Sequence, residues 1–160
     1  MSNQTLKLRI KLCLWTIIIG LALSGITAFP LESELAILKS HLSATGTMGR
    51  WINTIYQAIK TTNHQFPWLS YGTDWLAFAH LVIAVGFIGP LRDPVRNIWV
   101  VHFGMIACIA IFPLAFIAGS VRGIPFFWQL IDCSFGVVGF VPLYLCNRYI
   151  RRLEAITTAI

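Results

Sequence analysis

Three ionisable residues, His80, His102 and Asp132, lie within apolar stretches of the sequence. Ionisable side chains are costly inside a bilayer, so they normally face the interior of a helix bundle and find partners there. Histidine titrates near neutral pH and transfers protons, and a carboxylate can orient its ring. His80 and Asp132 are therefore the candidate catalytic residues, with His80 as proton-transfer group. All three residues are also candidates for a ligand-binding site.

Two further charged residues, Asp74 and Arg122, lie at the expected external boundary of the membrane. An arginine at this level is equally explained as an interfacial anchor whose charge reaches water. Its functional interpretation is a contact with an anion or a lipid headgroup near Asp74. These two residues complete the predicted ligand-binding set and are expected to line the mouth of the cavity.

Helical geometry predicts which of these residues meet. A rise of about 1.5 Å per residue gives His80 and Asp132 a similar depth in the external half of the bundle. Each residue shares a helix face with small residues, which let helices approach closely. The small residues are Ala77 and Ala84 beside His80, and Gly136 and Gly139 beside Asp132. If the two stripes are apposed, His80 and Asp132 form one polar cluster. A hydrogen bond that merely joins two helices is the plainer alternative.

The composition shows what kind of protein must position these residues. Of 160 residues, 57% are hydrophobic and 11% are charged, whereas about 25% are charged in a typical soluble domain. The net charge of +6 comes from basic residues beside apolar runs, which does not favour nucleic-acid binding. The sequence contains no glycine-rich phosphate loop and no nucleophile elbow. We therefore predict a single membrane domain over 1–160.

Four apolar runs, at about 12–30, 75–90, 95–118 and 124–146, are predicted to span the membrane. The predicted fold is all-α, a polytopic antiparallel bundle of four transmembrane helices. A cleaved signal peptide is the competing interpretation of the first run. The external segment 31–73 is predicted to hold two short amphipathic helices separated by the glycines at 46 and 49. It either lies along the membrane surface or covers the bundle as a lid.

Basic residues predict the orientation, because cytoplasmic loops carry an excess of Lys and Arg. Eight basic residues flank the two termini and the turn between the second and third spans, against four on the other side. The eight are Lys7, Arg9, Lys11, Arg92, Arg96, Arg148, Arg151 and Arg152. Both termini are therefore predicted to be cytoplasmic. In the turn, Asp93 is expected to cap the third helix and Pro94 to lie in its first turn. A contact with anionic lipid is the alternative role for Arg92, Asp93 and Arg96.

The four cysteines form no Cys-x-x-Cys pair and lie within apolar runs. They are expected to behave as small buried hydrophobes, and no metal and no cofactor are predicted. A b-type haem is the remaining alternative, and it would require His80 and His102 as ligands despite a depth offset of about 5 Å.

Three segments, YGTDWLAFAH, GPLRDPVRNIWV and RGIPFFWQLIDCSFG, fall between Tyr71 and Glu154. Through them the chain resembles an uncharacterised group of small four-helix bacterial membrane proteins. The resemblance implies the bacterial inner membrane as location and carries no activity.

Three functional hypotheses follow. The first is a protein that binds a lipid, a small apolar ligand or a partner membrane protein in an outward-opening cavity between its helices. The second is an intramembrane enzyme acting on a lipid-like substrate through His80 and Asp132. The third is an accessory subunit of a larger membrane complex. Membrane lipids are the expected partners, together with another membrane protein or a second copy of the chain.

Overall fold

The structure, a computed structural model, describes residues 3–42 and 45–158, and these form helices joined by short turns. The helices are α1 (Asn3–Ala28), α2 (Leu31–His41), α3 (Thr47–Gln65), α4 (Pro67–Gly86), α5 (Ile88–Arg92), α6 (Ile98–Val121) and α7 (Phe126–Thr158). No strand occurs in the described part of the chain. The prediction of an all-α fold is confirmed.

Four helical segments are long and apolar enough to cross a membrane: Asn3–Ala28, Pro67–Arg92, Ile98–Val121 and Phe126–Thr157. Large apolar side chains on these segments remain exposed, including Leu114 at 65% and Val138 at 70%. Exposed apolar surface on this scale is typical of a face that contacts lipid. The prediction of four helices long and apolar enough to span a membrane is confirmed, and their arrangement as one antiparallel bundle stays a prediction.

Two helix boundaries differ from those predicted. Helix α4 begins at Pro67, so residues 67–73, predicted to be external, form its first two turns. Proline suits this position because the first helical residue needs no N–H partner. Helix α7 has 33 residues and continues past Cys146 through the basic residues expected to end the span. The helix continues because residues 147–158 contain no glycine or proline. Its length of about 50 Å is well beyond the roughly 30 Å of bilayer hydrocarbon. We call residues 147–158 the α7 extension.

Contacts divide the chain into two compact units. Met1–Ile19 and Ala84–Ile160 form one, here the α6–α7 unit, and Gly20–Ile83 form the other, here the α2–α4 unit. Helix α1 contributes its first part to the former and its last part to the latter. The prediction of a single domain stays a prediction.

Close packing of α6 against α7 forms the centre of the α6–α7 unit. A Cβ atom on Gly136 would lie 2.7 Å from the backbone oxygen of Cys108, and one on Gly139 would lie 3.0 Å from the Cys108 sulfur. A Cβ atom on Gly104 would lie 2.9 Å from both Leu143 and Phe87. Small residues permit this close approach. The face of Gly136 and Gly139 therefore packs on α6.

The predicted apposition of the two small-residue stripes stays a prediction, and each stripe has a close contact within its own unit. Within the α2–α4 unit, a Cβ atom on Gly25 of α1 would lie 2.8 Å from the backbone oxygen of Ala77. Ala77 itself is fully buried. The α4 stripe thus packs on α1 at this point, and the α7 stripe packs on α6. Each stripe already has a glycine-mediated partner, which spacing along one helix does not identify.

Helices α2 and α3 lie in the segment where two amphipathic helices are predicted, and their position outside the membrane stays a prediction. Leu35 and Ile52 are buried between them. Gly46 precedes α3, but Gly49 lies inside its first turn rather than in the break. The Nδ2 of Asn63 donates to Glu32 Oε2 over 2.6 Å, and the hydroxyl of Ser70 donates to Asn63 Oδ1. These hydrogen bonds join α2, α3 and α4.

Candidate functional site

The predicted pair His80 and Asp132 is divided between the two compact units. The Nδ1–H of His80 donates to the backbone oxygen of Leu76 over 2.8 Å, one turn earlier in α4. This bond leaves Nε2 as the acceptor nitrogen of the neutral ring. Asp132 is partly buried in α7 and has no hydrogen bond or ion pair with another described residue of its unit. Their pairing stays a prediction.

The other predicted ligand-binding residues lie at different positions in the fold. Asp74 is partly buried in α4, and Arg122 is exposed directly after α6. The end of α6 is closed by Gly123, whose φ of +68° allows Ile124 N–H to donate to Gly119 O over 2.9 Å. Glycine adopts this left-handed conformation without steric cost, as is common after a helix end. Arg122 is therefore the C-cap residue of α6, and its side chain is exposed.

His102 has a partner that the sequence analysis missed. Its Nε2–H donates to Asn147 Oδ1 over 3.0 Å, from α6 to α7. Asn147 lies beyond the predicted fourth span and beside Arg148. It follows Leu143 and precedes Ile150 at helical spacing on the buried side of α7. Those two neighbours are at most 2% exposed. Continuing the helical period past Cys146 would have indicated that Asn147 faces α6.

The structure contains a large cavity at the end of the α6–α7 unit where Asn3 and Thr157 lie, with a volume of about 570 Å³. Lys7 and Lys11 of α1 line it, together with Arg92 and Asp93 from the α5–α6 turn and Leu153 and Thr157 from the α7 extension. The remaining lining is Asn3, Ile10, Pro90, Leu91, Pro94 and Val95. Three cations and one carboxylate leave a formal charge of +2. We call this the cationic cavity.

Helix α1 presents its two lysines to the cationic cavity through its amphipathic first half. Leu6, Ile10 and Leu14 recur at intervals of four and are at most 2% exposed. Lys7 and Lys11 have the same spacing one position later and are exposed. Side chains four residues apart lie on one helix face, about 5–6 Å apart at Cβ. The buried stripe therefore sets the side of α1 from which both lysine side chains project.

Local hydrogen bonds hold Asp93 in the α5–α6 turn, directly after Arg92 at the end of α5. Asn97 Nδ2 donates to Asp93 O over 2.9 Å and to Gly89 O over 3.3 Å. Asp93 Oδ1 accepts from the backbone N–H of Arg96 over 3.1 Å. Asp93 and Pro94 therefore belong to the turn and not to the start of a helix as predicted, because α6 begins only at Ile98.

The α7 extension forms the third wall of the cationic cavity. Its Ile150 is fully buried and its Leu153 is 5% exposed. The guanidinium of Arg9 lies 5.6 Å from the centre of the Tyr149 ring, a cation–π contact between α1 and α7. The arginines of the extension, Arg148, Arg151 and Arg152, are exposed and do not line the cavity. They provide a second group of cations that is independent of the cavity.

A second, apolar cavity of about 200 Å³ lies in the groove between α6 and α7. Its lining is Cys108, Ile109, Phe112, Gly136, Val137, Phe140 and Val141. No group of three or more His, Cys, Asp or Glu residues able to hold a metal ion occurs among residues 3–42 and 45–158.

Comparisons with known proteins add no assignment to this geometry. No protein-family model matches the chain, and neither a curated protein nor a solved structure matches it. The resemblance to small bacterial membrane proteins stays a prediction, and the functional argument depends on the residues themselves.

Proposed function

We propose that this protein is a bacterial inner-membrane protein that binds the anionic headgroup of a phospholipid in the cationic cavity. The observation that carries the proposal is the convergence of Lys7, Lys11 and Arg92, from two separate elements, on one cavity. Positive charges that lie close together repel each other, and this repulsion costs free energy unless an anion neutralises them. Asp93 neutralises only one of the three.

The strength of the expected attraction follows from the number of cations. A basic residue near a membrane surface contributes about 1 kcal/mol to the binding of anionic lipid. The net charge of +2 on the cavity therefore gives about 2 kcal/mol, a preference of roughly 30-fold over a zwitterionic lipid by the factor of ten per 1.4 kcal/mol. Basic cavities between helix ends on the cytoplasmic side are a general mode of anionic-lipid binding. The charge asymmetry of the sequence predicts that this end of the protein is cytoplasmic.

Size and lining also support a headgroup as ligand. The volume of about 570 Å³ falls within the range of roughly 300–1,000 Å³ typical of small-molecule sites. Apolar side chains such as Ile10, Leu153 and Val95 line the same cavity and suit the glycerol backbone and the first carbons of an acyl chain. Asn3 and Thr157 add polar groups that can hydrogen-bond phosphate or ester oxygens. This site replaces the outward-opening cavity of our first hypothesis and retains its lipid ligand.

The test compares two variants that each lose three positive charges. One carries Lys7→Gln, Lys11→Gln and Arg92→Gln in the cationic cavity, and the control carries Arg148→Gln, Arg151→Gln and Arg152→Gln outside it. Purified proteins are placed in nanodiscs of phosphatidylcholine, with or without phosphatidylglycerol, and thermal unfolding is measured. We expect phosphatidylglycerol to raise the Tm of the wild type and of the control variant, but not of the cavity variant.

Two further results would contradict the proposal. If both triple variants lose the Tm shift equally, the attraction is a property of the whole basic surface. If inorganic phosphate added to phosphatidylcholine nanodiscs reproduces the shift, the ligand is a soluble anion and not a lipid headgroup.

A further inference from the structure

The charge of the cationic cavity exceeds that of one ordinary phospholipid headgroup. Lys7, Lys11 and Arg92 carry three positive charges and Asp93 one negative charge, so the cavity has a formal charge of +2. A phosphodiester carries a single negative charge and would leave one cation without a counter-charge. Two phosphodiesters would neutralise the cavity.

The cations are also divided between two separate positions. Lys7 and Lys11 lie one turn apart on α1, whereas Arg92 is the last residue of α5, directly before the α5–α6 turn. A lysine pair presents two ammonium point charges, and an arginine presents a planar fork that suits two oxygens of one phosphate. The cavity thus offers two different anchors for phosphate.

Asp93 is out of place in a site for a simple anion, because a carboxylate repels phosphate. Its Oδ1 accepts the Arg96 N–H, and its Oδ2 is an acceptor for a further donor. A ligand with a hydroxyl group near its phosphates would supply that donor. The volume of about 570 Å³ provides room for such a group beside the phosphates.

From these observations we infer that the lipid bound in the cationic cavity carries two phosphodiester groups joined by a glycerol, the chemistry of cardiolipin. One phosphate binds Lys7 and Lys11, the other binds Arg92, and the hydroxyl of the bridging glycerol donates to Asp93. This inference rests on the proposed function, since it names the lipid class for the same cavity.

The experiment measures lipid binding to the full-length protein by native mass spectrometry and by the Tm shift in phosphatidylcholine nanodiscs. Cardiolipin and phosphatidylglycerol are compared at equal phosphate content. We expect cardiolipin to bind at least tenfold more tightly. Arg92→Gln should reduce cardiolipin binding to the level of phosphatidylglycerol, and Arg92→Lys should restore part of the preference. An unchanged helical circular dichroism spectrum shows that each variant is folded.

The bridging hydroxyl is tested with 2′-deoxycardiolipin, which lacks only that group. We expect about tenfold weaker binding to the wild type, the size of effect typical for loss of a hydrogen bond to a charged group. In Asp93→Asn the two lipids should differ less, because the acceptor is no longer charged.

The outcomes separate this inference from the proposed function. Equal binding of cardiolipin and phosphatidylglycerol, with both lost in the cavity triple variant, would overturn the two-phosphate inference and leave the proposed function standing. Binding of both lipids unaffected by the cavity triple variant would overturn both. Equal binding of cardiolipin and its deoxy form would remove the role of Asp93 and, with it, the preference for a bridging glycerol.

Discussion

Replacing Gly136 by alanine tests the packing of α6 against α7 with a single carbon atom. The added Cβ would lie 2.7 Å from the backbone oxygen of Cys108, and ordinary contact begins at 3.4 Å. The helices must therefore separate by about 0.7 Å at this point, the difference between these distances. A gap of this size forfeits roughly a quarter to a half of the dispersion energy of the atoms concerned.

The expected cost is a loss of about 1–3 kcal/mol in the free energy of unfolding, the usual range for overpacking a close-packed interior. The control is Gly20→Ala, since a Cβ atom on Gly20 would meet nothing within 4 Å. That variant should be as stable as the wild type or gain up to about 1 kcal/mol, because alanine has the higher helix propensity. Both free energies are measured by titrating SDS into mixed micelles and following helix content.

A second comparison distinguishes a Cβ atom that collides with the backbone of α6 from one that collides with an α6 side chain. A Cβ atom on Gly139 would meet only the Cys108 sulfur, at 3.0 Å. Gly139→Ala should therefore cost less than Gly136→Ala, and adding Cys108→Ala should restore its stability. The same second substitution should not rescue Gly136→Ala, because its obstacle is the backbone oxygen. If Gly136→Ala unfolds at the same SDS fraction as Gly20→Ala, the close contact of α6 with α7 does not exist.

Three further predictions concern other contacts. A double-mutant cycle of His102→Leu and Asn147→Leu should give a coupling of about 0.6 kcal/mol, typical of hydrogen bonds between membrane helices; additive effects would mean that the two side chains do not interact. Reporter fusions at residues 60 and 94 should lie on opposite sides of the membrane, and finding them on the same side would reject the four-span topology. Asn63→Ala should speed hydrogen exchange throughout α2 because its hydrogen bond to that helix is lost, whereas unchanged exchange would show that apolar packing alone holds α2.

The sequence predicted the helices well where the signal is local. Four helices able to span a membrane and two shorter helices between the first and second of them follow from hydropathy and helical period, because each is a property of one continuous segment. The predicted helix ends were less accurate, because hydropathy locates an apolar segment and not the residue at which the helix ends. The predicted fourth span ends at Cys146, whereas α7 continues through the basic residues that follow, because charge stops insertion into hydrocarbon without stopping a helix.

The candidate site required information that no single segment carries. His102 was identified from its position in an apolar run. Its partner Asn147 is 45 residues away, and only the structure shows that the two side chains meet. Lys7, Lys11 and Arg92 each indicated topology when taken alone. Their approach around one cavity depends on how α1, the α5–α6 turn and α7 pack.

The sequence by itself therefore determined that the protein is helical and that four helices can span a membrane. Tertiary structure alone decided which helix faces meet. Gly136 and Gly139 were correctly recognised as a close-packing stripe, yet small residues specify only that some helix approaches and not which one. The partner is selected by the shape of the opposing surface, here the backbone of α6 at Cys108, and shape arises only once the helices are packed together.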